Sequence, residues 1–358
     1  MTVGARKIRV LIVDDSALAR RAISDALSDD SEIEVVGAAS DAYGARDEIL
    51  ALQPDVVTLD LEMPRMDGLT FLKILQEHYP VPVVVVSSLT PSGSAKALEA
   101  LAAGAIDVLP KPDGTGNLGQ LAHQLAYHVK AAASSRREAR HLRPASAQAV
   151  LARPAIRPGS FSARRAILIG SSTGGVEALR FLLPQLPDGL PPIVVVQHIP
   201  ANFSRILAEH LNGLCPFTVR EAVDGDELRP GLCLLAPGDF HVALVAGVGR
   251  GYRVRLAQSP PVHHCRPSVD VLFRSAAELA GDQAVVALLT GMGVDGARGL
   301  QMLRAAGSRT IAQDEESCVV FGMPQAAIKL GAAEEVVTLE RMPGAILRAL
   351  AKTSSNET

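Results

Sequence analysis

Ser172, His198 and Asp295 are side chains that together can open an ester or an amide. Ser172 stands in Gly170-Ser-Ser172-Thr-Gly174-Gly175, directly after the apolar run Ala166-Ile-Leu-Ile169. The spacing Gly170-x-Ser172-x-Gly174 is that of a nucleophile elbow, a strand that turns sharply into a helix and exposes the serine. His198 closes a second apolar run, Ile193-Val-Val-Val196-Gln197, and Asp295 lies in Leu289-Thr-Gly-Met-Gly-Val-Asp295-Gly296 after a third. A serine hydroxyl is too weakly acidic to attack unaided; an imidazole can take its proton, and a carboxylate can fix the imidazole tautomer. Backbone N–H groups after Ser172 and in the Gly291–Gly293 loop are candidates to receive an oxyanion. The other eight histidines compete less well, since they fall in helices, loops or the N-terminal half. The glycine-rich turn by itself also fits a phosphate cradle or a plain strand-to-helix loop.

A second chemical cluster lies in the first third of the chain. Asp14 and Asp15 follow the run Ile8–Val13, Asp60 follows Val56–Leu59, Ser87 ends Val83–Val86, and Lys111 follows Ile106–Leu109. Three carboxylates at one point repel one another and call for a cation, and an all-oxygen donor set with room for water suits Mg²⁺. A carboxylate beside that ion can attack a phosphoryl group and become an aspartyl phosphate. Lys111 would then neutralise the phosphoryl oxygens and the Ser87 hydroxyl would donate to one. Five such residues at four strand ends are poorly explained as isolated helix caps.

Both clusters require parallel strands whose carboxyl ends share one edge. Residues 1–130 alternate short apolar strands with helical patterns over residues 17–27, 42–52, 69–76 and 94–103, which predicts a (βα)5 unit with a parallel sheet covered on both faces. Residues 166–350 predict a second, mostly parallel, doubly wound α/β unit. It has strands at residues 166–169, 192–196, 218–219, 232–235, 284–289 and 310–312, and a hairpin formed by residues 242–244 and 252–256. Helices are expected from residue 202 to 211, from 268 to 280 and from 297 to 305. A dinucleotide site would want an acidic residue at the end of the second strand, where Gln197-His198 stands. The chain order Ser-His-Asp differs from the Ser-Asp-His order of α/β-hydrolases.

Between the units, residues 131–165 lose periodicity. Eight arginines (Arg136, Arg137, Arg140, Arg143, Arg153, Arg157, Arg164 and Arg165) face one acid, Glu138. This predicts a flexible, solvated linker. A net charge of −3 over 358 residues argues against nucleic acid as the main partner. No apolar run reaches the ~20 residues of a membrane span, and residues 1–7 lead into no signal-peptide core. The four cysteines carry no C-x-x-C pair, which fits a reduced, cytoplasmic compartment. His263-His264-Cys265 lacks zinc-ligand spacing.

Residues 6–130 resemble the receiver domain of two-component response regulators. The resemblance rests on Val-Asp14-Asp15-Ser, Leu59-Asp60-Leu-Glu-Met-Pro-Arg-Met-Asp-Gly68, Val-Ser87-Ser and Leu-Pro-Lys111-Pro112. It implies phosphorylation at Asp60, Mg²⁺ held by Asp14, Asp15, Asp60 and the Glu62 carbonyl, and phosphoryl sensing by Ser87 and Lys111. Many receivers carry an aromatic switch residue where Val108 stands. Residues 166–340 resemble the catalytic domain of chemotaxis protein-glutamate methylesterases. Here the matches are Ile-Gly170-Ser-Ser172-Thr-Gly-Gly175, Gln197-His198-Ile-Pro200, Ala236-Pro-Gly-Asp239, Arg266-Pro-Ser-Val-Asp270, Leu289-Thr-Gly-Met-Gly-Val-Asp295-Gly296 and Cys318-Val-Val-Phe-Gly-Met-Pro324. Val294 stands where that family usually has Asn. The resemblance implies Ser172 as nucleophile, His198 as base and Asp295 as its partner, with Thr173 and Met292 beside the oxyanion. It also implies phosphorylation-controlled, cofactor-free hydrolysis of glutamate γ-methyl esters, and deamidation of certain glutamines, on chemoreceptor cytoplasmic helices. A chemotaxis histidine kinase would be the phosphodonor, and no membrane insertion is implied. The rival expectation is a non-catalytic response regulator whose second domain binds a partner or a nucleotide.

Overall fold

The computed structural model describes residues 6–87, 91–111, 118–135, 164–201, 203–249 and 251–354. The chain divides into two compact units, residues 1–140 and 141–358. The first alternates strictly: β1 (Ile8–Val13), α1 (Ala17–Ser28), β2 (Ile33–Ala39), α2 (Ala42–Leu52), β3 (Val56–Leu59), α3 (Gly68–His78), β4 (Val83–Ser87), α4 (Pro91–Ala102), β5 (Asp107–Pro110) and α5 (Leu118–Ser134). All five strands pair in parallel in the order β2-β1-β3-β4-β5. Helices on both faces explain why Val10, Leu11, Ile12, Val56, Val57, Val83, Val84 and Val85 are all wholly buried: their strands read as apolar runs because neither face meets water. Val108, on β5, is buried as well. The chain reverses at the β1/β3 boundary, so the carboxyl ends of β1 and β3 open on one crevice.

The second unit opens with β6 (Ala166–Ser171), α6 (Gly175–Leu182), β7 (Ile193–Gln197), α7 (Phe203–Leu214), β8 (Thr218–Glu221) and β9 (Leu232–Leu235). The hairpin β10 (His241–Ala246) and β11 (Tyr252–Ala257) follows, then α8 (Val269–Leu279), β12 (Ala284–Leu288), α9 (Ala297–Ala305) and β13 (Arg309–Gln313). The unit closes with α10 (Met323–Lys329), β14 (Glu335–Val337) and α11 (Met342–Ser354). Seven strands pair in the order β14-β13-β12-β6-β7-β9-β8, every neighbour parallel. β6 lies at the centre with β7 on one side and β12 on the other, so the switch point of this sheet falls beside the end of β6. The hairpin pairs antiparallel outside the main sheet. Its inner residues Val242, Leu244, Tyr252 and Val254 join Leu272, Phe273 and Ala276 of α8 in one apolar cluster. Leu244 N–H also donates to Ser275 Oγ at 2.9 Å, so the hairpin braces α8.

Several elements lie beyond the bounds that periodicity sets. β14, α10 and α11 carry no strong pattern of their own, and α11 runs to Ser354. The residue expected to cap α7, Asn202, and most of the arginine-rich stretch lie outside the described residues. The two ends of that stretch are structured. α5 continues to Ser134, and Arg165 is only 1% exposed with its Nη1 donating to Leu350 O at 2.5 Å. A guanidinium buried this deeply on a carbonyl of α11 ties the start of β6 to the end of the unit. Arg165→Ala removes that hydrogen bond and empties the space of the stem, and we expect it to lower the unfolding free energy by about 2 kcal/mol. A shift of the urea midpoint of the full chain measures this.

Candidate active site

Ser172 and His198 stand one residue beyond the last rung of the β6–β7 ladder, where Ser171 pairs with Gln197. That register sets the two residues on adjacent strand ends, where neighbouring backbones run about 4.8 Å apart. Gln197 locks the arrangement. Its Oε1 accepts from Ser171 Oγ at 2.6 Å, and its Nε2 donates to the carbonyls of Ser172 and His198, both at 2.9 Å. His198 N–H donates to Ser171 O at 3.0 Å. Gly174, the N-cap of α6, takes φ 77°, a left-handed turn that lets the chain leave the strand and enter the helix immediately after the serine. From the other side, Ser172 N–H donates to Thr290 O at 3.0 Å. A Cβ on Gly291 would come within 2.6 Å of Ser172 Cβ and 2.4 Å of Met323 Sδ, so only glycine lets this loop pass the serine.

Asp295 reaches the site from the loop between β12 and α9. Its Oδ2 is 2.8 Å from His198 Nε2, and the two side chains are 2% and 8% exposed respectively. With the carboxylate ionised, Nε2 carries the proton and the lone pair of the neutral ring lies on Nδ1. Among the described residues, His198 Nδ1 and Ser172 Oγ are both buried without a hydrogen-bond partner. The three side chains expected from strand ends therefore share one edge, although Asp295 lies in a loop seven residues past β12. Among the candidate oxyanion donors, the Gly291 N–H is already spent on Val320 O at 3.0 Å, so that part of the expectation is corrected. Thr173 is buried, and its carbonyl accepts from Thr290 Oγ1 at 3.0 Å; Met292 is partly buried in the loop opposite.

In the first unit Asp14 and Asp60 are each 1% exposed, Asp15 is exposed, and their carboxylate oxygens lie within 4.8 Å of one another. Lys111 Nζ bridges Asp60 Oδ2 at 2.6 Å and Asp14 Oδ2 at 3.0 Å. Glu62 enters by its main chain, whose N–H donates to Asp60 Oδ1 at 3.2 Å. Ser87 is fully buried and its hydroxyl has no partner among the described residues. Burial, assisted by Asp14, holds Asp60 above the usual carboxylate range against the opposing pull of Lys111 and the Glu62 N–H. Burial works against a charge on Lys111, but Asp60 and Asp14 outweigh it and raise its pKa. Among the described residues these groups form two clusters, one in each unit.

Comparison with known proteins places both units. The model of the CheB methylesterase matches residues 167–346, and that of the response regulator receiver domain matches residues 10–141. A protein-glutamate methylesterase/protein-glutamine glutaminase 2 of Syntrophus aciditrophicus (strain SB) is 47% identical over 344 residues, covering 96% of this chain and 99% of the relative. The chain belongs to the CheB methylesterase family. A second relative, protein-glutamate methylesterase/protein-glutamine glutaminase 5 of Anaeromyxobacter dehalogenans (strain 2CP-C), is 49% identical over 352 residues, covering 96% of this chain and 97% of its own. The crystal structure of the Thermotoga maritima CheB methylesterase catalytic domain is 41% identical, with a TM-score of 0.50 over 51% of this chain and 97% of that one. The parallel α/β architecture read for both units is the architecture of this family. Among the described residues no helix is long and apolar enough to cross a membrane.

The CheB-type site also contains groups that the sequence did not single out. Gln197 and Thr290 shape the backbone around Ser172, and Cys265, partly buried, lies beside His198. Burial alone pulls the pKa of His198 down. The Cys265 sulfur and then Asp295 more than reverse this, leaving the imidazole above its ordinary value. Burial likewise works to raise Asp295, but His198, the Asp270 N–H and the Ser268 hydroxyl hold its carboxyl below the usual range. As a general base His198 would work only when neutral, so its raised pKa would move the onset of activity to higher pH. We expect kcat/KM to rise with pH through a limb above the ordinary imidazole range, and Cys265→Ala to move that limb down. Coincident limbs for the two proteins would show that Cys265 does not set the base.

Proposed function

We propose that this chain hydrolyses glutamate γ-methyl esters on the cytoplasmic domains of chemoreceptors, releasing methanol, and deamidates particular glutamines there. The reading rests on one observation above all: a buried His198–Asp295 pair whose free ring nitrogen and the neighbouring Ser172 hydroxyl are both left without partners. On this reading His198 Nδ1 takes the Ser172 proton as Oγ attacks the ester carbonyl. The tetrahedral oxyanion is received by backbone donors near Thr173 and Met292. His198 then returns the proton to the departing methoxide, so methanol leaves and a glutamyl-serine ester remains. Water gives up a proton to the same nitrogen and attacks that ester, the C–Oγ bond breaks as the nitrogen passes that proton to Oγ, and Ser172, neutral His198 and the glutamate side chain are released. An amide follows the same course with ammonia as the leaving group. No step needs a cofactor.

The first unit supplies control. Asp14, Asp15 and Asp60 present hard oxygen donors close together, and with the Glu62 carbonyl they would hold Mg²⁺. When bound, the ion neutralises charge at the phosphoryl group during transfer. Asp60 attacks the phosphorus of a phosphohistidine on a chemotaxis kinase, and the phosphorus–nitrogen bond breaks. Lys111, which now pairs with Asp60 and Asp14, can turn to the new phosphoryl oxygens, and the Ser87 hydroxyl can donate to one of them. Phosphorylation thereby shifts the populations of the receiver, which we propose raises esterase activity. The enzyme would act in the cytoplasm.

Ser172→Ala should leave the fold intact and lower methanol release from methylated receptors by on the order of 10⁴-fold or more. A folded variant that keeps a tenth of the activity would exclude Ser172 as nucleophile. For the receiver, acetyl phosphate with Mg²⁺ should phosphorylate the chain at one site and stimulate methanol release. Asp60→Asn or metal chelation should abolish both responses. Stoichiometric phosphate on Asp60→Asn would overturn that assignment.

A further inference from the structure

Asp295 does more than meet His198. Its Oδ1 accepts from Ser268 Oγ at 2.8 Å and from the N–H groups of Asp270 and Gly296, both at 3.0 Å. Its Oδ2 accepts from Val269 N–H at 2.7 Å besides facing His198. Val269 and Asp270 are the first two residues of α8, so this carboxylate, from a distant loop, caps the N-terminus of that helix. Ser268 occupies the N-cap position, where a serine ordinarily accepts from its own helix. It makes no such bond and is fully buried, its hydroxyl turned outward to Asp295 and its N–H donating to His241 Nδ1 at 3.1 Å. The arrangement is reciprocal. Asp270 accepts from Gly299 N–H in the first turn of α9 at 2.7 Å, while the N-cap of α9, Gly296, offers no side chain. Each helix takes its cap from the acid of the other.

We propose that Ser268 is a positioning residue for the hydrolysis, holding the Asp295 carboxylate so that its Oδ2 stays aimed at His198. The proposal rests on the triad reading above. Of the five donors to Asp295, four are main-chain groups or the imidazole itself, and Ser268 is the one side chain that serves the carboxylate alone. Its hydroxyl draws charge onto Oδ1, away from the oxygen that faces His198. Without it the carboxylate becomes more basic, binds the imidazolium more strongly and turns more easily. The base then frees itself of its proton only at higher pH. The other titratable and charged groups around the pair are Asp270 with its partners His263 and Arg274, Cys265, His241 and Arg266. All are unchanged by a substitution at Ser268.

The test compares Ser268→Ala, Ser268→Thr and Asp295→Asn in the full chain, with methanol release from methylated receptor as readout across pH. Each variant is first checked for a wild-type circular dichroism spectrum. We expect Ser268→Ala to lower kcat by about 10- to 100-fold, the worth of a hydrogen bond to a charged group. KM should stay the same and the acid limb should move to higher pH, while Ser268→Thr, which keeps the hydroxyl, should restore both. An unmoved limb in Ser268→Ala, with Asp295→Asn inactive, overturns the role of Ser268 and leaves the triad standing. Near wild-type activity in Asp295→Asn overturns the triad reading itself.

Discussion

An ionised carboxylate buried to 2% exposure is the constraint around which the second unit is arranged. Taking such a charge out of water costs several kcal/mol unless donors replace the lost hydration. Asp295 meets that requirement with the open end of α8, one hydroxyl, one N–H from its own loop and an imidazole. Each of these fixes something else. α8 must begin where the β12–α9 loop ends, which is why the hairpin β10–β11 packs along it and why Ser275 holds Leu244. His198 must leave β7 in register with Ser171, which Gln197 enforces.

The first unit faces the same problem and answers it differently. Asp14 and Asp60 are as deeply buried, but besides one N–H each, from Ser16 and Glu62, their charge is met by the long side chain of Lys111. Main-chain donors cannot be withdrawn without unfolding an element; a lysine on a flexible stem can swing to another anion. The first arrangement suits a site that must stay preorganised through a reaction. The second suits a site whose charge changes during its working cycle. One chain thus carries a fixed and an exchangeable compensation of buried carboxylate.

Much of this was legible in the sequence because both sheets are parallel. A parallel strand buried on both faces is a short apolar run, and the first polar residue after it marks the functional edge. Asp14, Asp60 and Ser87 are found that way, and Ser172 and His198 each follow the first polar residue, Ser171 and Gln197, by one position. Asp295 was reached through its motif, since its loop separates it from β12. Gln197 passed as half of a dipeptide and Ser268 as an ordinary helix start. Nothing local says that one amide spans two strands or that a cap residue faces a carboxylate 27 positions away. The same holds for Arg165, an arginine at the end of an arginine-rich stretch whose burial depends on α11 arriving beside it. The weakly patterned β14, three residues long, exists because β13 offers it an edge.

The exchange of caps between α8 and α9 also bears on how this part of the molecule comes apart. A helix end capped by its own residues can fray alone, at little cost to anything else. Here, unwinding the first turn of α8 strips donors from Asp295, and releasing Asp295 loosens the segment that leads into α9; the converse runs through Asp270 and Gly299. The two helix starts are therefore coupled, while the intervening β12 stays held by its ladders to β6 and β13. Loss of the His198 partner then draws on both helix starts rather than on the softening of one loop alone.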